Sequence, residues 1–82
     1  MIDVKKAIIV AEGVNSPYMP NFKARKVWDC KTFWSVTDTK QSEFSCNFYI
    51  HKKTGEVRGG SVLPFDWIEN AEEFDPVVVY EE

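Results

Sequence analysis

The stretch 44–58, FSCNFYIHKKTGEVR, constrains the fold of this chain more than any other. Phe44, Cys46, Phe48 and Ile50 share one parity, and Ser45, Asn47, Tyr49 and His51 share the other. Successive side chains of an extended chain point to opposite faces, so this alternation predicts a half-buried strand with Tyr49 and His51 on its polar side. Lys53-Thr54-Gly55 breaks the run and Glu56-Val57-Arg58 resumes it. Glycine takes positive φ without steric cost, so Gly55 suits the tight turn of an antiparallel hairpin.

The rest of the chain supplies partners for that hairpin. Val4, Ala7, Ile8 and Ala11 lie at the i, i+3, i+4, i+7 spacing of a packed helix. Asp3 is placed to cap it and Gly13 to end it. Ile9 and Val10 widen the apolar stripe, which leaves a buried strand as a competing reading. Pro17 and Pro20 stiffen the loop that follows. Residues 23–29 read as a first strand with Ala24, Trp28 and Cys30 on one parity, interrupted by Lys26; residues 33–37 read as a second. Strand three is 44–51 and strand four begins at Glu56, ending or bulging at Gly59-Gly60. Asp66 followed by Glu69 resembles a capping box for a short helix over 64–74, with Trp67, Ala71 and Phe74 on its apolar side. Residues 77–80, VVVY, form a last strand or packed tail. The expectation is one α+β domain over 1–82: an N-terminal helix on a three- to four-stranded antiparallel sheet, with a short C-terminal helix and a tail strand. The Phe44, Cys46, Phe48, Ile50 face is expected to pack on Ala7, Ile8 and Ala11.

Charge is divided unevenly. Residues 1–58 hold all ten basic residues against six acidic ones, a balance of +4; residues 59–82 hold seven acidic residues and no basic ones, a balance of −7. Internal complementarity accounts for such a division, and so does an acidic face that meets a basic partner. Scattered lysines in an acidic domain do not suit nucleic acid. The start of the chain has no basic leader before its short apolar run, and no stretch approaches the roughly 20 apolar residues of a membrane span, so the cytoplasm is the expected location. Cys30 and Cys46 fall in different predicted strands and are expected to be reduced core thiols; a disulfide would require export.

Little in the chain points to catalysis. His51 is the only histidine and lies on the polar parity beside Lys52, where it reads as a surface residue. CxxC, HExxH and the phosphate-loop glycine patterns are absent, and no cofactor or metal site is expected. Glu69, Glu72, Glu73 and Asp75 lack the alternation of an EF-hand loop and read as a solvated helix face. A buried Cys46 would be inert. Asp38 or Glu56 with His51 would be the only means to a small hydrolase. Trp28, Trp34 and Trp67 serve either as core plugs or as binding anchors. Of the adjacent Phe33 and Trp34, one must face away from the main core, marking a second packed layer under the C-terminal helix or a partner site.

Phe33-Trp34-Ser35-Val36 together with 48–57, FYIHKKTGEV, resembles small bacterial domains of the PepSY kind, and one class of small toxin-immunity proteins with a similar hairpin. The resemblance spans roughly residues 3–60 and implies a helix packed on an antiparallel sheet that binds or inhibits a partner protein. The acidic segment from Asp66 onward departs from an exported domain of that kind. The leading expectation is therefore a non-catalytic protein-binding or inhibitory domain, immunity-like, with Phe33, Trp34, Trp67, Glu69, Glu72 and Glu73 as partner-binding candidates. A structural or accessory protein that self-associates through an open sheet edge, chiefly the VVVY strand, is the alternative.

Overall fold

A computed structural model describes residues 1–14, 22–38, 47–60 and 62–82. One helix, α1 (Val4–Gly13), packs on a five-stranded antiparallel sheet built from β1 (Lys26–Asp29), β2 (Phe33–Thr37), β3 (Asn47–His51), β4 (Val57–Gly60) and β5 (Val77–Glu81). The spatial order is β4-β3-β2-β1-β5. The architecture is thus α+β, with the tail strand joining the sheet as its fifth member. No helix among the described residues is long and apolar enough to cross a membrane.

The helix forms where the apolar spacing predicts. Asp3 Oδ1 accepts the Lys6 N–H at 2.8 Å, satisfying one of the donors a helix start leaves open. The helix runs through Gly13 and is capped by Val14, whose N–H returns to the Ala11 carbonyl. Ala7 and Ala11 are fully buried, and these small residues let the helix lie close to β2 and β3. Opposite them sit Val27, Trp34, Val36, Phe48 and Ile50, joined by Phe22 and Ala24. Phe22 meets Phe48 edge to face with ring centroids 4.7 Å apart. The expected packing of Phe48 and Ile50 against the helix is present; Phe44 and Cys46 lie outside the described residues, as do the proline-stiffened loop and the connection near 40–42.

Strand order dictates what happens on the other face. β4 and β5 are opposite edges of the sheet, so the chain between them must cross one of its faces. It crosses the face away from α1, laying Leu63, Trp67, Ile68 and Phe74 over Trp28, Cys30, Phe33 and Tyr49. This second core answers the question posed by the adjacent aromatics: Trp34 faces the helix and Phe33 faces the crossing segment. It also overturns the polar reading of one side of β3, since Tyr49 and Asn47 are fully buried there. Asn47 Nδ2 donates to Ser35 Oγ at 2.8 Å, pairing two of the polar groups on that face.

The crossing segment is not the single short helix that its pattern suggests. It makes two 3-10 turns, Phe65–Trp67 and Ala71–Glu73. Asn70 caps the second, its side chain accepting the Glu72 N–H. Trp67 and Phe74 both reach the Phe33 ring, with centroids 5.8 and 6.3 Å away. Ile68 and Asn70 between them are extended, which divides the segment into two separate turns. The first strand also begins later than its pattern implies. The Ala24 N–H is taken by the Glu12 carboxylate of α1, so Ala24 belongs to the helix side while Trp28 and Cys30 belong to the second core.

Candidate functional site

The residues singled out in the sequence separate into interior aromatics and exposed acids. Phe33 is fully buried. Trp34 is buried under α1 and donates its indole N–H to the Ile2 carbonyl at 2.8 Å. Trp67 is half-buried, its ring bounded by Phe33, by His51 at 5.0 Å and by the Arg58 guanidinium at 4.3 Å. Glu69, Glu72 and Glu73 are exposed. The fold therefore does not gather the six candidates into one patch: the aromatics hold the two cores together and the acids line the crossing segment.

The acidic segment is partly neutralised within the molecule. Lys23 meets Glu82 and Lys26 meets Glu81, each at 3.1 Å; Arg58 meets Asp66 at 2.6 Å, and Lys31 meets Glu73 at a longer 3.7 Å. Each pair joins the basic part of the chain to the acidic part. The Arg58 hydrogen bond holds the Asp66 carboxyl below its ordinary range, and the two carboxylates of Asp66 and Glu56 hold the guanidinium charged. Glu69, Glu72 and Asp75 have no ion-pair partner among the described residues.

One ion pair is partly sheltered. Lys52 Nζ lies 2.7 Å from Asp29 Oδ1 and 4.2 Å from the centre of the Trp34 ring, so its ammonium is enclosed by a carboxylate and an aromatic face. Burial alone would raise the Asp29 carboxyl. The Lys52 hydrogen bond, the Lys31 N–H and the Lys52 charge together outweigh it and hold the group below its ordinary value.

His51 and Glu56, two of the groups considered for catalysis, are engaged elsewhere. His51 Nδ1 accepts the Lys53 and Thr54 N–H groups at 3.1 and 3.4 Å, inside its own turn. Glu56 receives Arg58 Nε at 2.8 Å. Among the described residues no carboxylate forms an ion pair with His51, and no group of three or more histidine, cysteine or acidic side chains is arranged to hold a metal. Cys30 is a buried free thiol, pushed up to about 12 first by burial and then by the neighbouring Asp29 charge, so it is protonated and unreactive at neutral pH.

Met1, Ile9, Val62 and Phe65 are exposed singly or in loops, and a continuous exposed apolar run lies at the sheet edge. Val77, Val78, Val79 and Tyr80 of β5 are 55, 44, 43 and 37% exposed, although all four belong to a strand. On its inner side β5 pairs with β1, Val27 opposite Tyr80 and Trp28 opposite Val78, which leaves Val79 as the extra residue of a bulge. The chain matches no family model, no curated protein and no solved structure.

Proposed function

We propose that this chain is a non-catalytic protein-binding domain of inhibitory, immunity-like character, which docks through the β5 edge. The observation that carries the reading is the run Val77–Tyr80, four apolar residues exposed on an edge strand. Soluble domains normally blunt such edges with lysine, proline or inward-turned charge. Here Asp75 precedes the strand and Glu81 and Glu82 follow Tyr80, so the apolar run has acidic flanks. A partner that fits it presents an apolar groove bordered by basic side chains. Asp75, which has no ion-pair partner among the described residues, contributes to rate and orientation, and the valines and tyrosine to affinity.

A second reading rests on the same edge: two copies pair β5 to β5 and extend the sheet. The bulge at Val79 counts against it, because it interrupts the regular ladder that a second copy would continue. Affinity capture from a host lysate, comparing wild type with V78D/Y80D, tests the docking reading. A protein retained by the wild type and released by the variant, with binding weakened by salt, supports it. Retention unchanged by the variant overturns it. Sedimentation over a hundredfold concentration range decides between the readings, since only the homodimer raises the mass of the isolated wild-type chain.

A further inference from the structure

A cavity of about 200 Å3 opens at the end of the sheet where two turns meet the N-terminal segment. Its lining includes Lys31 and Thr32 from the β1–β2 turn, His51, Lys52 and Lys53 from the β3–β4 turn, and a single acid, Glu69. Three lysines on one small concavity stand out in a chain whose net charge is −3. We propose that this cavity is a binding site for a small phosphate monoester, held by its phosphoryl group between Lys31 and Lys53.

The walls are fixed by backbone bonds between the three segments. Ile2 N–H donates to the Lys52 carbonyl at 2.8 Å, and Lys52 N–H donates to the Thr32 carbonyl at 3.0 Å. Lys31 is held in the left-handed region at φ 68°, anchored by its own N–H on Asp29 Oδ1 at 2.9 Å. The lysine stems therefore leave from a framework that does not need to be ordered by the ligand, and a preorganised site loses less free energy on binding.

The three ammonium groups are not equivalent. Lys52 is already occupied by Asp29 and the Trp34 ring. Lys53 has no ion-pair partner among the described residues, and Lys31 has only the 3.7 Å contact with exposed Glu73. Those two are the charges available to an anion. The Thr32 hydroxyl donates to the Trp67 carbonyl and forms wall rather than donor. His51 Nδ1 accepts from the turn, so that nitrogen is turned toward the backbone and not toward a ligand. Arginine's planar fork suits carboxylate and phosphate alike, whereas lysine acts as a point charge and binds a phosphoryl group without a fixed plane; the lining holds lysines and no arginine. The volume suits a phosphate with a short organic group, not a polymer.

Titration of the 15N-labelled chain with glycerol 3-phosphate and with inorganic phosphate, against glycerol as the uncharged control, tests the site. The expected result is saturable shifts confined to residues 31–32, 51–54 and 69 with both anions, tighter for the monoester, and none with glycerol. K31A/K53A should weaken binding about five- to tenfold, as expected for two partly solvated charges. E69Q should tighten it, by removing the one repulsive group. Both variants lie on exposed side chains, and unchanged spectra elsewhere verify folding. Shifts spread over all surface lysines, equal affinity in K31A/K53A, or weaker binding in E69Q would each overturn the proposal. Inorganic phosphate bound as tightly as the monoester would overturn the assignment of the ligand class.

Discussion

Two residues hold left-handed backbone in the two turns that border the lysine cavity, and they answer substitution with opposite signs. Gly55 sits at φ 75°, and a Cβ there would come within 3.1 Å of Ile2 Cδ1. Gly55→Ala adds both a disfavoured conformation and a tight contact, so it should cost about 1–2 kcal/mol. Lys31 at φ 68° already bears the conformational cost, and Lys31→Gly should relieve it, with a net gain of at most about 1 kcal/mol after the larger entropy of glycine in the unfolded chain. Urea denaturation of both variants checks the pair; equal signs would mean that the φ values do not govern these turns. Asp29 gives a pH prediction at the same scale. Its folded value lies below the ordinary 3.8, so the stability it contributes is complete above that value and is lost as pH falls through the ordinary and then the depressed value. Asp29→Asn should be less stable than wild type at neutral pH, and the difference should shrink as pH drops below about 4. A constant gap down to pH 2 would show that the Lys52 pair does not supply it. The positive φ of Gly55 was legible in the sequence because glycine marks such turns. That of Lys31 was not, because nothing in a lysine signals a left-handed position that an aspartate two residues earlier stabilises.

Each face of β2 and β3 belongs to a different core, and this sets the cost of truncation. Phe48 lies under the helix against Phe22, and Phe33 lies under the crossing segment against Tyr49, Trp67 and Phe74. Phe48→Ala and Phe33→Ala should each cost about 3–5 kcal/mol, a large part of the stability of a domain this small. Glu56→Ala should be much milder, since its partner Arg58 keeps Asp66. Thermal unfolding of the three variants compares them directly. A near-neutral Phe33→Ala would mean that the crossing segment covers the sheet without stabilising it. The alternation of 48–51 located β3 correctly but left half of its burial unread. A strand covered on both faces loses the link between parity and exposure, and Tyr49 was assigned to the wet side for that reason. The helix was legible because its apolar spacing serves one core, and the strand at 33–37 because two adjacent aromatics, Phe33 and Trp34, must fall on opposite faces. The 64–74 segment was not, because Asp66 and Glu69 imitate a helix start while Ile68 and Asn70 are extended and divide the segment into two 3-10 turns. Of the candidate residues, exposure was legible for the acids and not for the tryptophans: composition shows that a large aromatic is present, and only the tertiary fold decides which side of a sheet it fills.

Across the whole molecule the division of charge becomes a fastening. The acidic C-terminal residues lie along the basic residues that lead into and begin β1, with Glu81 on Lys26 and Glu82 on Lys23, while the Glu82 N–H also returns to the Arg25 carbonyl. These contacts hold the strand proposed to meet a partner, so the docking edge is anchored by its inner charges and presents its outer apolar side chains. The two pairs differ in weight. Lys23 and Glu82 are both open to water, and such a pair contributes well under about 1 kcal/mol. The Lys26 side chain is only 10% exposed and its ammonium sits 5.1 Å from the centre of the Trp28 ring, so removing its carboxylate leaves a nearly buried charge without its closest partner. Glu81→Gln should therefore destabilise the chain by about 1–2 kcal/mol, and Glu82→Gln by little. Salt separates the causes. At 1 M the screening length falls to about 3 Å, so the exposed pair should vanish as a contribution while most of the Glu81 effect persists. Hydrogen exchange localises the loss: opening in Glu81→Gln should be greatest in β5 and the facing amides of β1, where the ladder is already interrupted by the bulge at Val79. If both variants exchange like wild type at low salt, the backbone ladder alone holds β5, and the charge division of the sequence serves the surface instead of the fold.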